Sequence, residues 1–400
     1  MPSLYTPGQS SRTLNCVLDF LTTSGAVAGM LAIVTMLVML VIVLLSGAWP
    51  AIQKFGLSFF WTSRWDKTEN FGAWPVIQGT LLSSFIALVV AVPISVGAAV
   101  FLVRVVPSVR GVRWQIARGF VAVILGAVLF ILFNAFFSQR SGGIAIALAI
   151  GLATCGCTIA FMRNNHLIAG VSFLIELLAA IPSITYGLWG IMVMVPFIHD
   201  YVDPIFTWIF VTHKTWFQWF QWGVVNYNKF THKGEPFYFP ASFFTPTATS
   251  NNILSAGLIL AVMITPIISS ITRDVLRVVP KDLEQGAYGV GATWWQATKV
   301  VLSYSKMGIL GAVILGLGRA LGETMAVTTI IGSVVDKPVY NIFQSGATIS
   351  SLLASEFPSP LTDMHRQSMV YAALVLLLVT MLINGAARIM VISIGRRERK

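Results

Sequence analysis

Two charged residues interrupt the apolar stretch that runs from Gly308 to Ile331: Arg319 and, four positions later, Glu323. A charge at membrane depth costs about 2.5–3.5 kcal/mol on insertion scales, so charged residues inside apolar segments usually mark an ion or substrate pathway. Four positions apart on a continuous helix, the two side chains would share one face. The pair could then neutralise itself when the path is empty and present a guanidinium when it opens.

Two interpretations of this pair are open from the residues alone. In the first, Arg319 and Glu323 form an internal salt bridge that locks helix packing. In the second, they line a transport site, where the planar fork of Arg319 donates two parallel hydrogen bonds to a tetrahedral oxyanion. Thr324 could add a hydroxyl to such a site, and Gly318 and Gly322 would allow another helix to approach closely.

The composition places these residues in an integral membrane protein. Of the 400 residues, 56% are hydrophobic and 10% are charged, and the mean hydropathy is +0.80. Soluble proteins have about 25% charged residues. Apolar runs long enough to cross a bilayer as helices recur along the chain, and we predict eight spans, near 25–46, 78–103, 120–137, 144–162, 172–198, 253–272, 307–334 and 368–392.

The formal net charge of +11 follows a membrane topology and does not indicate a nucleic-acid surface. With the amino terminus placed inside, sixteen Lys and Arg residues fall on cytoplasmic segments. Nine fall on outside segments, where eight Asp and Glu residues nearly balance them. The positive-inside rule therefore predicts a multi-pass protein with both termini in the cytoplasm. We expect no nucleic-acid partner.

No motif in the sequence indicates an enzyme or a resident cofactor. The Gly-x-x-x-x-Gly-Lys-Ser/Thr phosphate loop is missing, so any ATP must be used by a partner. There is no histidine–glutamate zinc motif. Cys155 and Cys157, two positions apart on a predicted helix, point to different faces and are expected to be small core residues. We therefore expect no catalytic residues, no metal and no cofactor.

A moderately charged segment at 273–305 lies between two predicted spans on the cytoplasmic side. Pro280 followed by Lys-Asp-Leu-Glu predicts a helix start with acidic residues in the first turn. Gly289 and Gly291 predict a break before a second short helix. A helix–turn–helix of this kind suits docking to another protein, although a plain amphipathic connector would have the same pattern.

Residues 280–332 resemble the permease subunits of bacterial ABC importers, and within them the phosphate permeases. The stretch Leu317-Gly-Arg319-Ala-Leu-Gly-Glu323-Thr-Met-Ala-Val327 is similar to the signature of the PstC family, whereas the sister PstA family continues Gly-Glu-Thr-Ala-Pro. The resemblance covers most of 50–395, with further matches at Gly56-Leu-Ser-Phe59, Gly79-Thr-Leu81, Ala91-Val-Pro93, 176–190, Ala354-Ser-Glu-Phe357 and Ile383-Asn384. Within 176–190, Pro182 and Ser183 are expected at a helix-packing position.

The resemblance implies that segment 273–305 couples the permease to an ATPase. The family pattern there is Glu-Ala-Ala, three residues and then Gly, and Gly291 matches that glycine. Gln285, Gly286 and Ala287 fall at, or within one residue of, the Glu-Ala-Ala positions, and Glu284 lies one residue upstream. Either Glu284 or Gln285 must then take the part of the family's glutamate, which helps to seat the coupling helices on the ATPase.

The resemblance also implies an all-α integral membrane protein with the six-span core of a type I ABC importer permease. Residues about 113–165 have no counterpart in that core and are interpreted as an inserted two-span hairpin packed outside it, which makes about eight transmembrane helices. We divide the chain into 1–75 (tail, first span and outside aromatic segment), a permease domain at 76–392 with an outside loop at 199–252, and a basic cytoplasmic tail at 393–400.

By the same resemblance, the chain is expected in a bacterial inner (plasma) membrane as the permease subunit of an ATP-driven phosphate importer. Its implied partners are a PstA-like permease, two ATP-binding subunits and a periplasmic phosphate-binding protein, beside membrane lipid. The alternative is a proton-coupled secondary anion transporter that uses Arg319 and Glu323, against which the coupling-like loop and the absence of an obvious inverted repeat stand. A regulatory membrane scaffold that reports phosphate status is compatible with the importer.

Overall fold

The computed structural model describes residues 9–66, 68–105, 167–208 and 251–397, and it is built of helices. The strand-like pairings among these residues are two isolated bridges, Trp65 with Phe71 and Gly332 with Gly346. The all-α fold class predicted from the sequence is therefore confirmed. The hairpin predicted at about 113–165, and most of the outside loop predicted at 199–252, lie outside the described residues.

In chain order the described helices are α1 (Gln9–Phe55), α2 (Trp74–Val100), α3 (Leu167–Ala180), α4 (Ser183–Trp189), α5 (Val195–Phe197), α6 (Asp203–Phe206), α7 (Ile253–Arg277), α8 (Lys281–Gly289), α9 (Trp294–Gly322), α10 (Met325–Ile330), α11 (Ile349–Glu356) and α12 (Asp363–Arg397). A 3-10 helix follows α1 at Gly56–Phe60. Single π-helical turns follow α2 at Phe101–Val105, α4 at Gly190–Met194 and α5 at Ile198–Val202.

Within the described ranges, five segments are long and apolar enough to cross a membrane: Thr22–Phe60, Trp74–Arg104, Ile253–Arg277, Trp294–Gly322 and Asp363–Ser393. They overlap five of the eight predicted spans, and the spans predicted at 120–137 and 144–162 lie outside the described residues. The span predicted at 172–198 is helical with an interruption at 181–182. Pro182, which lacks an amide hydrogen, separates α3 from α4.

Helix α7 lies at the centre of the described bundle, with α2 and α9 packed along it. The most apolar 18-residue stretch of α7 is 67% buried. The corresponding stretches are 28% buried in Trp74–Arg104, which includes α2, and 22% buried in α9. Glycines make this close packing possible. A Cβ atom at Gly257 of α7 would lie 2.7 Å from Ile86 of α2, and one at Gly316 of α9 would lie 2.7 Å from Ile268 of α7.

The segment between α10 and α11 is fixed on the first turns of α2. The Gln78 Oε1 atom accepts a hydrogen bond from the Val339 amide at 3.0 Å, and the Thr80 Oγ1 atom accepts one from the Ile349 amide at 3.0 Å. Between these two anchors the backbone of Ala347 lies directly on Gly79, whose missing side chain leaves the necessary space. Helix α2 therefore sets the positions of α10 and α11.

The aromatic residues of the predicted outside segment form a packed cluster. Phe59, Trp65 and Phe71 are almost fully buried, while Trp61 is 74% exposed. The Trp65 indole donates to Glu356 Oε2 at 3.0 Å, and the His365 Nε2 atom lies 2.9 Å from the same oxygen. These contacts join the segment after α1 to the helices α11 and α12.

Asp203 is a buried carboxylate in the segment predicted to lie outside the membrane. It is 8% exposed, its Oδ2 atom lies 3.3 Å from His199 Nδ1, and its Oδ1 atom is buried with no hydrogen-bond partner in the described structure. Burial raises the pKa of Asp203 above its ordinary value, and the contact with His199 opposes that shift. The ionised form is therefore disfavoured in the folded protein.

We expect the Asp203→Asn variant to have a higher Tm than the wild type at about pH 7, because the folded state no longer holds a poorly solvated charge. The difference should disappear at about pH 3, where the carboxyl is protonated in the folded and unfolded states alike. Thermal unfolding of the detergent-solubilised protein at both pH values measures this. The exposed neighbour Asp200, changed to Asn, is the control; a lower Tm for Asp203→Asn at pH 7 would contradict the account.

Candidate translocation site and coupling segment

Helix α9 ends between the two charged residues Arg319 and Glu323. Its last residue is Gly322, Glu323 has an extended backbone (φ −68°, ψ 129°), and α10 begins at Met325. Glu323 is therefore the C-cap residue of α9, and the predicted span at 307–334 is divided between α9 and α10; the shared face of Arg319 and Glu323 stays a prediction. Glycine has a low helix propensity, and the Thr324 hydroxyl donates to the free Gly322 carbonyl at 3.2 Å.

Arg319 lies in the last turn of α9 and is exposed on the described subunit. Within the described part of the chain, its guanidinium has no ion pair or hydrogen bond, and Glu323, which is half-buried, is not paired with it. The free carbonyls at the carboxyl end of α9 favour a cation at this position. Arg319 is thus held near the helix end by the backbone while its donors are free for an anion.

Polar groups from two other helices lie near Arg319. The arginine is within electrostatic reach of Tyr186, whose hydroxyl donates to the Leu178 carbonyl at 2.6 Å. On the other side, a Cβ atom at Gly318 would lie 3.7 Å from the Asn384 amide nitrogen of α12. The Asn384 Oδ1 atom is buried and has no hydrogen-bond partner in the described structure. An anion beside Arg319 would therefore meet polar groups as well as apolar helix faces.

Close helix packing in this region is observed at glycines that the sequence analysis did not single out. Gly322 has no other atom within 4 Å of the place where a Cβ would lie, among the residues that the structure describes, so the close approach expected there stays a prediction. Gly187 of α4 makes a close contact with α10, where a Cβ atom would lie 2.5 Å from Thr329 Oγ1 and 3.2 Å from Ala326 Cα. Gly190 meets Ile330 in the same way. The spacing of three residues between Gly187 and Gly190 is the sequence feature that could have indicated this packing.

Pro182 and Ser183 place α4 against α10. Pro182 has φ −57° and ψ 138°, which ends the helical path of α3, and Ser183 is the first residue of α4. The chain bend lets α4 cross α10 at Gly187. On the far side, the Ser350 hydroxyl of α11 donates to the Leu321 carbonyl at 3.3 Å. The helix break at Glu323 is thus held between α4 and α11.

The predicted helix–turn–helix in the coupling segment is present. Helix α8 begins directly after Pro280, and Gly291 has φ +82°, a left-handed conformation that glycine adopts without strain. The Thr293 side chain caps α9, since Thr293 Oγ1 accepts from the Gln296 amide at 3.4 Å and Gln296 Oε1 accepts from the Thr293 amide at 2.7 Å. The second helix, however, is not short.

Helix α9 is one continuous helix of 29 residues that begins three positions after the turn residue Gly291 and ends three positions after Arg319. At about 1.5 Å per residue it is about 43 Å long. The prediction of a separate short helix failed because the polar start of α9 interrupts the apolar pattern that marks a span. The turn at Gly291 and Arg319 therefore lie near the two ends of one continuous helix.

The residues of the predicted coupling motif differ in exposure. Gln285 and Gly286 are exposed, Ala287 is half-buried, and Glu284 is turned inward, where its Oε1 atom accepts a hydrogen bond from Arg104 Nη2 at 2.6 Å. Beside them is a groove of about 640 Å³ between the ends of α2 and α7 and the helix α8. Val278 and Val290 are 82% and 86% exposed at the two ends of α8. This surface combines a groove with exposed apolar side chains.

The sequence matches a protein family and is similar to several known proteins. Residues 145–399 match the family of binding-protein-dependent transport system inner membrane components. The chain is 32% identical over 357 residues to the phosphate transport system permease protein PstC of Pasteurella multocida, with 89% of this chain and 86% of the relative covered. PstC of Mesorhizobium japonicum is 34% identical over 356 residues (88% and 84% covered), and PstC 1 of Mycobacterium tuberculosis is 32% identical over 370 residues (87% and 86% covered). The family match includes α3 to α12, and with them Arg319 and the coupling segment.

Proposed function

The chain belongs to the family of binding-protein-dependent transport system inner membrane components, with the PstC phosphate permeases among its relatives, and from that premise we propose that it forms part of the phosphate path of an ATP-driven importer. The resemblance drawn from residues 280–332 is confirmed by these relatives. Phosphate is the anion that Arg319 would bind. The chain itself would serve as a transport subunit, with ATP hydrolysed by partner subunits.

One observation carries the proposal: the Arg319 guanidinium, unpaired among the described residues, stands at the end of the helix that begins just after the turn at Gly291. A guanidinium with free donors can bind two oxygens of a phosphate at once. Because α9 is continuous from Trp294 to Gly322, closure of an ATPase under α8 would shift Arg319 as well. The break at Glu323 ends α9 beside Arg319, and irregular backbone at membrane depth is tolerated where it lines a cavity.

The proposed assembly contains this chain, a PstA-like permease, two ATP-binding subunits and a periplasmic phosphate-binding protein. If the chain lies in a bacterial inner membrane with both termini in the cytoplasm, α8 would face the ATP-binding subunits. The cluster around Trp65 and Glu356 would then face the binding protein. The exposed side of Arg319 would face the second permease. A role in reporting phosphate status is compatible with this arrangement, since a partner can sense the conformation of the permease.

The assembly is testable by reconstitution. We expect this chain to co-purify with the three other kinds of subunit, and ATP hydrolysis by the complex in proteoliposomes to rise when the phosphate-loaded binding protein is added. The unloaded binding protein is the control. ATP hydrolysis that is indifferent to the loaded binding protein would contradict the proposal.

Glu323 needs a function of its own because a carboxylate repels an anion. One hypothesis is that Glu323 accepts a hydrogen bond from a phosphate OH, which sulfate lacks at neutral pH. The competing hypothesis is that Glu323 pairs with Arg319 in another state of the cycle and keeps the arginine from binding anions. The residues between them are helical and Glu323 is the C-cap of α9, so a change in side-chain conformation would be needed to join them.

The Glu323→Gln variant separates these hypotheses. If Glu323 accepts from phosphate, the preference of the complex for phosphate over sulfate should fall about tenfold, because the neutral Oε1 atom of glutamine accepts a weaker hydrogen bond than a carboxylate does. The measurement is the initial rate of uptake of both radiolabelled anions into the same proteoliposomes. Thr324→Val, which removes only the neighbouring hydroxyl, is the control variant. Unchanged selectivity in Glu323→Gln would sink the first hypothesis.

A further inference from the structure

A buried arginine connects the coupling helix α8 to the end of α2. Arg104 lies in the π-helical turn Phe101–Val105, a local widening of the helix that often occurs at functional sites. Its side chain is 5% exposed, and its Nη2 atom donates to Glu284 Oε1 at 2.6 Å. Its Nε atom is buried without a partner in the described structure. Glu284 thus supplies a hydrogen-bond acceptor for this buried cation.

The surroundings of Arg104 make the contact with Glu284 important. The groove beside it is lined by two further cations, Arg277 and Lys281, and Glu284 is the one carboxylate among its described lining residues. Apolar side chains close the inner end, where Leu276 and Val301 are buried. A buried charge is costly unless it is paired, so a movement of α8 away from α2 would leave Arg104 uncompensated.

We propose that Arg104 is a positioning residue for ATPase coupling: it holds Glu284 inward, makes α8 move with the end of α2, and leaves Gln285 on the surface that the ATPase meets. The inference rests on the proposed function, because it assigns a task to residues of the proposed coupling segment. By this inference Gln285, which is exposed, faces the partner, and Glu284, whose side chain is 36% exposed, does not. Glu284 is engaged within the subunit.

The contact gives the coupling helix a second mechanical route into the membrane. The first route is α9, which carries a displacement from Gly291 to Arg319. The second is α2, which packs along α7 and whose first turns hold the segment 339–349 before α11. Since α11 also binds the end of α9 through Ser350 and Leu321, both routes meet at the helix break beside Arg319.

A matched pair elsewhere in the chain provides the control. Arg273, at the end of α7, is 6% exposed, and its Nη2 atom donates to Glu176 Oε1 at 2.8 Å. Its Nε atom is also buried without a hydrogen-bond partner in the described structure. The two pairs therefore join the same residue types with similar burial of the arginine, although Arg273 Nε also lies 3.7 Å from Asp274 Oδ1. Only the pair Arg104–Glu284 includes a residue of α8.

The experiment measures ATP hydrolysed per phosphate transported by the reconstituted complex, in four variants: Glu284→Gln, Arg104→Met, the double variant Arg104→Met/Glu284→Gln, and the control Glu176→Gln. Coupling between distant sites is usually worth about 5–150-fold. We therefore expect a rise of about tenfold in the ratio for both single variants. Glu176→Gln should stay within about twofold of the wild type, since its pair lies outside α8.

The double variant separates positioning from mere charge compensation. Replacement of both members of a buried ion pair by uncharged residues is often neutral for stability, so the double variant should fold. If Arg104 positions α8, the double variant stays uncoupled because α8 is no longer attached to α2. If the pair only neutralises a buried charge, the double variant recovers the wild-type ratio, and the inference is overturned.

The remaining outcomes are also decisive. Single variants that behave like Glu176→Gln would overturn the inference and leave the proposed function intact, provided that the wild-type complex transports phosphate with ATP. A wild-type complex that moves no phosphate would overturn both. Binding of the ATP-binding subunits gives a separate readout: Gln285→Ala should weaken their co-purification with this chain, and Glu284→Gln should not. The reverse result would assign Glu284 to the partner and overturn the inference.

Discussion

The Arg319→Gln variant should lose phosphate uptake by about 100-fold while it remains folded. Glutamine has neither the positive charge nor the planar fork, so two charge-assisted hydrogen bonds to phosphate are lost or weakened. Each such bond contributes about 1.5–3 kcal/mol, and a loss of about 2.7 kcal/mol corresponds to 100-fold. Folding should be unaffected because Arg319 is exposed and has no partner in the described structure. The measurement is the initial rate of radiolabelled phosphate uptake, normalised to the amount of the protein in the membrane.

Two further variants make this result specific. Arg319→Lys keeps the charge without the fork, and we expect uptake between that of the wild type and that of Arg319→Gln. Arg366→Gln removes an arginine that is 58% exposed and paired with Asp363 at the start of α12, and we expect uptake within about twofold of the wild type, as for other exposed ion pairs. Wild-type uptake by Arg319→Gln would show that Arg319 does not bind the transported anion.

The Gly79→Ala variant should be largely lost from the membrane. A methyl group at Gly79 would overlap the carbonyl oxygen of Ala347 and lie 3.1 Å from its carbonyl carbon. These are backbone atoms, and the hydrogen bonds from Val339 to Gln78 and from Ile349 to Thr80 hold that backbone in place on both sides. Overpacking costs about 1–3 kcal/mol or more, and here the segment that positions α10 and α11 would have to leave α2. Membrane levels and Tm in detergent give the result.

Gly97→Ala is the matched control on the same helix. No atom lies within 4 Å of the place where its Cβ would be, among the residues that the structure describes. Alanine is favoured over glycine in a helix by about 1 kcal/mol, so Gly97→Ala should be as stable as the wild type or more stable. If Gly79→Ala were as abundant and as heat-stable as Gly97→Ala, the packing of the 339–349 segment on α2 would be wrong.

The sequence predicts the elements that depend on local composition. Long apolar runs identify five helices that are able to cross a membrane, because a span needs a continuous apolar surface. The helix start after Pro280 and the turn at Gly291 were predicted from residues that restrict or relax the backbone. In each of these cases, the structure is determined by residues within a few positions of the element.

The features that the sequence does not reveal depend on distant residues. Arg104 and Glu284 are 180 positions apart, and nothing local in either segment indicates the other. The break after Gly322 lies inside a stretch that stays apolar to Ile331, so hydropathy continues through it. The close contact at Gly187 is visible only when the position of α10 is known. The length of α9 was also not predicted from the sequence. Its first turns are polar, and they pack beside α8.

The most direct test of the account is radiolabelled phosphate uptake in cells that rely on this chain, with ATP depletion compared with collapse of the proton gradient. We expect phosphate uptake to be lost when ATP falls and to persist when only the proton gradient is collapsed. Uptake that follows the proton gradient and survives ATP depletion would contradict it. That result would instead make Arg319 and Glu323 the candidate proton relay of a secondary anion transporter.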